Sequence, residues 1–469
     1  MAGSPGAEER IARVIAGLQP GTYLRGMAAP TYPLAERLAY YETPGISIAV
    51  IEDYEIAWTR GYGVKEAGKS DAVTTETLFQ AGSISKPVAA MAALHLVEAG
   101  KLDLDEDVNT YLTSWKVPPN ADWQPRITLR QLLSHTAGLT IHGFPGYLPT
   151  RPIPTVPQLL DGEPPANTGA VRVNAVPGTQ FRYSGGGTTI VQLMLMDVLG
   201  KPFPQIMRKL VLDPLQMHHS TYEQPLPPSR AEFAATGHPS DSRPVEGKWH
   251  IYPEMAAAGL WTTASDLARW AIEVQLSRQG RSNKVLSAEM VQQMLSPQVE
   301  DHIGIGPFLE GKEETARFGH GGWDEGFICH LIAYQQRGQG SVVMINSNRG
   351  GEVITEVERA IAREYAWPDF LPQEPTLAAV TSDSLAAYVG VYELRPNFQF
   401  TVTRSEEGLL LQPTGQPPLS LFAESETKFF ARAVGAEISF VKKDSGEVEE
   451  LVFLQNGRPQ TARKQIPNS

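Results

Sequence analysis

The sequence predicts an α/β (α+β) fold: an antiparallel sheet flanked by terminal helices, with a helical lobe beside it, followed by a small all-β antiparallel barrel. Three observations lead there. Strand-like runs come early, within residues 45–64, and late, within 327–346, with helical spacing between and after them. The middle of the chain is rich in Pro and Gly and carries only short helical patterns, as a lobe inserted into a split sheet would. Beyond the Pro-rich stretch WPDFLPQEPT the pattern changes to about eight short β-rich runs separated by turn residues. The expected organisation is therefore a first domain over residues 1–366, a linker over 367–376 and a barrel domain over 377–469.

Taken in order, helical spacing opens the chain at 8–18 and 34–41, and GISIAVIEDYEIAWTRGYGV then alternates as two strands around a turn near Asp53. Residues 83–100 form a helix that is apolar almost all round and stops at Gly100, the pattern of a buried central helix. ITLRQLLSHTAGL, residues 127–139, reads as a helix ending at Gly138, with Ser134 and His135 as terminators that satisfy backbone groups rather than as a catalytic dyad. Shorter helices are expected at 190–198, 203–211 and 265–276. Strands at 327–335 and 340–346, joined by a turn, lead to a closing helix at 353–366.

Composition bounds the function. With 42% hydrophobic and 20% charged residues, 469 residues can bury a sizeable core. A net charge of −12 argues against nucleic acid or an anionic membrane as partner. No window of ~18 apolar residues occurs, so no membrane span is expected. The opening residues MAGSPGAEERIARV lack the apolar stretch of a secretory signal. The sequence as it stands thus points to the cytoplasm, and to the periplasm or exterior if a signal peptide has been removed. Cys329, the single cysteine, excludes an internal disulfide and reads as a packing thiol within FICHLIAY. The acidic run LDLDEDV lacks metal-ligand spacing, H-E-x-x-H is absent, and His218 with His219 has no nearby acidic set, so neither a metal nor another cofactor is expected. Nothing in the sequence specifies an oligomeric state.

The chemistry centres on S-x-x-K, a pattern short enough that this chain carries it at Ser83–Lys86, Ser425–Lys428 and Ser439–Lys442. The second and third copies lie in strand-like runs, where residues three apart point to opposite faces. Ser83 and Lys86 head a helix, where the same spacing puts both side chains on one face. Partial burial and the positive end of the helix dipole both disfavour a cation at Lys86, so its amine is expected to serve as a base toward the Ser83 hydroxyl. Tyr183 stands in PGTQFRYSGGG, a Gly-rich loop running into an apolar helix, where it could hold a phenol over a cleft. His320, Gly321 and Gly322 fall at a strand entrance, where glycines allow close approach of a substrate to backbone.

These segments, with GKLDLDEDVNTYL, TLRQLLSHTAGL and GLWTTASDLARW in the same order, resemble the serine β-lactamases and penicillin-binding DD-peptidases. The likeness is to their class C, D-alanyl-D-alanine carboxypeptidase and family VIII esterase branch and covers about residues 35–366. The tail resembles the small β-barrel often appended to such hydrolases. The resemblance implies Ser83 as nucleophile, Lys86 as its base, Tyr183 as the proton-shuttling second-motif tyrosine, and His320–Gly322 as the third motif. It also implies an oxyanion hole from the backbone N–H groups of Ser83 and Trp323. Substrate contacts are expected at Gly185, Gly321, Gly322 and Tyr252, with Glu254, Asp324 and Glu325 as further pocket residues. Two departures bear on substrate: Gly185 replaces the asparagine that holds an acylamide, and His320 replaces a lysine that holds a carboxylate. The implied function is a serine hydrolase cleaving a small ester, amide or D-amino-acid peptide through an acyl-enzyme. A weak β-lactamase and a non-catalytic penicillin- or peptide-binding sensor are the alternatives. The expected partner is a small-molecule or short-peptide substrate.

Overall fold

The computed structural model describes residues 5–23, 29–121, 123–372, 377–405, 408–431, 436–443, 445–455 and 458–465. They form two compact units, Met1–Ile15 with Pro33–Asp369 and Ala16–Tyr32 with Phe370–Ser469.

The first unit is built on a six-stranded antiparallel sheet. Strands β1 (Gly45–Glu52) and β2 (Glu55–Gly63) form a hairpin. Its two connecting residues, Asp53 and Tyr54, both take positive φ, the geometry that matches the twist of a tight hairpin. The later strands are β3 (Phe308–Glu310), β4 (Arg317–Asp324), β5 (Phe327–Tyr334) and β6 (Gly340–Ile345), and the spatial order is β2-β1-β6-β5-β4-β3. Every residue of β6 is buried, so the sheet is covered on both faces. Register explains how. Phe318, His320 and Gly322 of β4 share one face with Ala333, Leu331 and Cys329 of β5, while Gly321 and His330 share the other. On the first face Trp270 of helix α7 (Ala264–Arg278) packs edge-on against Phe318. On the second, Glu358 of α8 (Gly351–Glu364) reaches His330 at 2.6 Å.

FGHGGWD is thus the body of a strand, not a strand entrance, a correction to the sequence reading. Its glycines lower intrinsic strand preference, and pairing with β5 along its whole length outweighs that. Helices α1 (Pro5–Ala16) and α2 (Leu34–Tyr40) precede the sheet, and α3 (Ser85–Glu98) runs through the core. The helix expected to end at Gly138 shrinks to α4 (Leu129–Leu133). A capping box at Thr128 and Gln131 starts it, and His135 leaves it at a φ of +57°. Helix α5 (Gly185–Leu199) starts earlier than the apolar spacing suggests because Ser184 caps it, accepting the Gly187 N–H at 3.0 Å. Two short helices complete the site's surroundings: α6 (Met255–Ala258), and a turn of π-helix over Arg208–Leu212 where a longer α-helix was expected.

In the second unit eight strands close into an antiparallel barrel: β7 (Gly390–Arg395), β8 (Phe398–Ser405), β9 (Gly408–Pro413), β10 (Leu419–Ala423), β11 (Lys428–Ala431), β12 (Ala436–Lys442), β13 (Val448–Gln455) and β14 (Arg458–Lys464). Each corresponds to one of the β-rich runs. The alternate inward residues Tyr392, Phe400, Leu411, Ile438, Phe440 and Leu451 fill the interior, with Tyr388 stacked on Phe440 at 4.3 Å. Of the expected linker, Trp367 is buried against Tyr334, whose hydroxyl donates to Asp369, so its first residues belong to the first unit. Residues 373–376 of that stretch lie outside the described residues. Among the described residues no helix is long and apolar enough to cross a membrane.

Candidate active site

Residues Gly82–Ile84 form a 3₁₀ turn that leads directly into α3. Gly82 adopts a φ of +50°, and a Cβ there would come within 2.5 Å of the Trp323 backbone nitrogen. Only glycine fits, and the Trp323 peptide therefore lies directly against the turn that bears Ser83. Ser85 fixes the turn by donating to the Gly82 carbonyl at 2.6 Å and accepting the Leu260 N–H at 3.0 Å. One helical turn on, Lys86 is 4% exposed. Its Nζ lies 2.8 Å from Ser83 Oγ, 2.7 Å from the Ala257 carbonyl of α6, and 5.0 Å from the Tyr183 ring centre. The three-residue spacing across the 3₁₀ turn and the start of α3 thus places the Lys86 amine and the Ser83 hydroxyl within hydrogen-bond reach. The other two S-x-x-K lysines face acidic neighbours: Lys428 pairs with Glu424 and Glu437, and Lys442 with Glu426.

Tyr183 is half-buried at the end of the Gly-rich loop. The start of α5 needs its glycines because another loop crosses it. The Gly185 and Gly186 N–H groups donate to the His142 and Ile141 carbonyls at 3.0 and 3.1 Å. A Cβ on Gly185 would meet the Phe144 ring at 3.0 Å. The helix N-terminus is therefore satisfied by protein, and the space that a side chain at Gly185 would need is filled by Phe144 and the His142 carbonyl. Around Tyr183 stand His135 at 4.3 Å, His142 at 4.8 Å, Phe308 at 6.2 Å and His320 at 6.1 Å between ring centres. Phe181 and His302 extend this aromatic wall.

β3 pairs with β4 only as far as Gly319, so from His320 onward the β4 edge on that side has no strand partner among the described residues. His320 is buried, and its Nδ1 contacts the Gly321 carbonyl at 2.5 Å, which assigns Nδ1–H as the donor. Burial and the nearby Lys86 push its pKa down to about 3, so the imidazole is neutral. Gly321 and Gly322 do not act alike. Gly322 is buried, and a Cβ on it would sit 2.0 Å from the Ala81 carbonyl and 2.4 Å from Cys329 Sγ. Its close approach is to the chain itself, not to a substrate, which corrects the expectation. Gly321 is exposed on the opposite sheet face from His320. The Trp323 side chain is 52% exposed beside the open edge.

Tyr252 is a second correction. It is fully buried beneath the cleft, and its hydroxyl accepts the Glu325 N–H at 2.9 Å. Glu254 and Asp324 are buried with it, while Glu325 is half-buried. Asp324 accepts the Gly82 N–H, yet its Oδ2 and both Glu254 oxygens lack hydrogen-bond partners. Burial raises Asp324 well above the carboxylate range and Glu254 to about 8. Cys329 is buried, with its thiol donating to the Ala81 carbonyl at 3.1 Å. His135, His142, Phe308 and the Ala257 carbonyl were not foreseen as site groups. Ser134 does act as a helix terminator, its hydroxyl donating to the Arg130 carbonyl at 2.8 Å. No cluster of three or more acidic, His or Cys side chains suited to a metal ion occurs among the described residues.

A split antiparallel sheet with a buried helix headed by Ser83 and Lys86 defines the β-lactamase/transpeptidase-like class of fold. The chain belongs to the beta-lactamase family, whose model matches residues 34–365. A second model, a domain of unknown function, matches residues 374–464. Among relatives, penicillin-binding protein 4* of Bacillus subtilis is 23% identical over 442 residues, covering 89% of this chain and 94% of that protein. A solved octameric penicillin-binding protein homologue from Pyrococcus abyssi has a TM-score of 0.60 at 20% identity, covering 92% of this chain and 98% of its own. The D-alanine carboxypeptidase AmpC of Burkholderia cenocepacia has a TM-score of 0.57 at 18% identity, over 76% of this chain and 99% of its own.

Proposed function

We propose that the protein is a serine hydrolase that forms an acyl-enzyme on Ser83 and cleaves a small ester, amide or D-amino-acid peptide bond. The observation that carries this reading is the 2.8 Å contact between a buried Lys86 amine and Ser83 Oγ. Lys86 Nζ takes the Ser83 proton as Oγ attacks the carbonyl carbon. The developing oxyanion is held by the peptide N–H groups of Ser83 and Trp323, the latter pressed against the nucleophile turn. Tyr183 relays the proton to the leaving group, and water then attacks the acyl-Ser83 along the reverse path. The names of relatives, a penicillin-binding protein and a D-alanine carboxypeptidase, support this class of reaction.

Within that class the wall of the cleft favours substrates without a free carboxylate next to the scissile bond. His320 is neutral where a fixed cation would hold one, and Phe144 occupies the place of an acylamide-binding group. The aromatic wall of Phe181, His302 and Phe308 suits an apolar acyl or alcohol group.

The test is a panel of p-nitrophenyl acyl esters, nitrocefin and D-Ala-D-Ala peptides run with wild type and Ser83→Ala. Short esters are expected to turn over fastest, with Ser83→Ala slower by at least about a thousandfold. Full activity in Ser83→Ala, or a stable acyl-Ser83 that never releases, would sink the hydrolase reading. Nitrocefin turning over faster than every ester would overturn the substrate preference alone.

A further inference from the structure

The geometry points to His135 as the positioning residue of Tyr183, an inference that rests on the proposed role of Tyr183. Three consecutive residues of the tyrosine loop are held by this one residue, each through a different group. The Arg182 N–H donates to the His135 carbonyl at 2.7 Å. The Ser184 N–H donates to His135 Nδ1 at 3.2 Å. Between them the Tyr183 ring lies 4.3 Å from the imidazole, tilted by 32°. The residues before, at and after the phenol are thereby fixed to a single point on the loop that ends α4.

The identity of the residue follows from these demands. An asparagine could accept the Ser184 N–H but offers no ring face, and a phenylalanine offers a ring but no acceptor; imidazole supplies both. It does so from a strained backbone. His135 is not glycine and holds a φ of +57°, a left-handed conformation that persists only where its surroundings impose it. The side chain is buried, and burial together with the Lys86 charge keeps its pKa well below the ordinary histidine value. The Nδ1 lone pair therefore stays available, and the ring carries its proton on Nε2. His95, His238 and His320 show the opposite arrangement, each with Nδ1 against a carbonyl oxygen.

A double-mutant cycle reads the coupling. His135→Asn, in which the amide oxygen can replace Nδ1 and which tolerates positive φ, is compared with Tyr183→Phe and with the double variant on a p-nitrophenyl ester. In the wild-type background His135→Asn is expected to lower kcat by ~10–100-fold with KM within about twofold, because the phenol is misplaced rather than the substrate released. In the Tyr183→Phe background the same change is expected to cost less than about threefold. Equal factors in both backgrounds, or a loss confined to KM, would overturn the inference while leaving the Ser83 chemistry intact. Full kcat in Tyr183→Phe would remove the role of Tyr183 and the inference with it. Should His135→Asn fail to fold, ¹⁵N-histidine spectra of the unmodified chain decide the matter. They are expected to contain an Nε2–H imidazole that does not titrate between pH 5 and 9, and its absence would overturn the proposal.

Discussion

At the scale of single residues, the site separates groups that must change protonation from groups that must not. In the proposed mechanism Lys86 exchanges a proton with Ser83, and a guanidinium cannot do this near neutral pH. Lys86→Arg, which preserves charge, is therefore expected to lose activity by ~10³-fold, as Lys86→Met does, and ester hydrolysis by the two variants checks it. If the arginine variant retained near-normal rates, the lysine would be acting as a fixed charge. His320 is the opposite case. With its pKa pushed down to about 3, it takes a proton only in strong acid, where it would place a second cation beside Lys86. The pH profile of kcat/KM between 5 and 9 should keep its shape in His320→Gln, measured with a neutral ester. Loss of a limb near pH 6.5 in that variant would mean that the imidazole titrates normally.

At the scale of elements, β4 and the turn that bears Ser83 are packed backbone to backbone, and glycines set that distance. Gly322→Ala would drive a Cβ to 2.0 Å from the Ala81 carbonyl, whereas Gly321→Ala finds its nearest neighbour, His330, at 3.9 Å. Urea unfolding should show Gly322→Ala destabilised by roughly 2–4 kcal/mol and Gly321→Ala by under about 1 kcal/mol. Similar values for the two would refute the close packing.

The same elements show what the sequence reveals. The strands of the sheet, the buried helix behind Ser83 and the eight barrel strands follow from periodicity, because each buries a face whose spacing survives in the residues. His135 was legible only as a helix terminator. Its partners Arg182, Tyr183 and Ser184 lie about fifty residues away, and two of its three contacts use backbone groups that carry no sequence signal. Tyr252 hides for a related reason: a tyrosine near a motif looks like a pocket residue until its burial is known. In sequence FGHGG looks like the approach to a strand, because glycine hides a strand whose stability comes from its neighbours.

At the scale of the whole molecule, buried titratable groups restrict the pH range of stability from both sides. Glu254 has a folded pKa of about 8 against an ordinary value of 4.5. Its contribution is fully present below about pH 4.5 and is lost as pH rises through 8, at ~1.4 kcal/mol per unit and on the order of 5 kcal/mol at most. His320, depressed from 6.5 to about 3, contributes stability that is present above about pH 6.5 and is lost as pH falls toward 3. Melting temperature against pH should therefore fall on both flanks. Glu254→Gln should flatten the alkaline flank and His320→Gln the acid one, and a flank that keeps its slope in its own variant would show that the group there is not the cause.

The two units also alternate along the chain, since Ala16–Tyr32 groups with the barrel while Met1–Ile15 groups with the hydrolase unit. A single protease cut after Asp369 would not free either one. The polypeptide passes from one unit to the other three times, so shedding the barrel unit whole takes two further cuts, on either side of 16–32. For anyone trimming the protein, the hydrolase unit is a discontinuous stretch of chain, and its N-terminal piece carries Arg10 and Arg13, both bonded to Glu364 at the far end of α8.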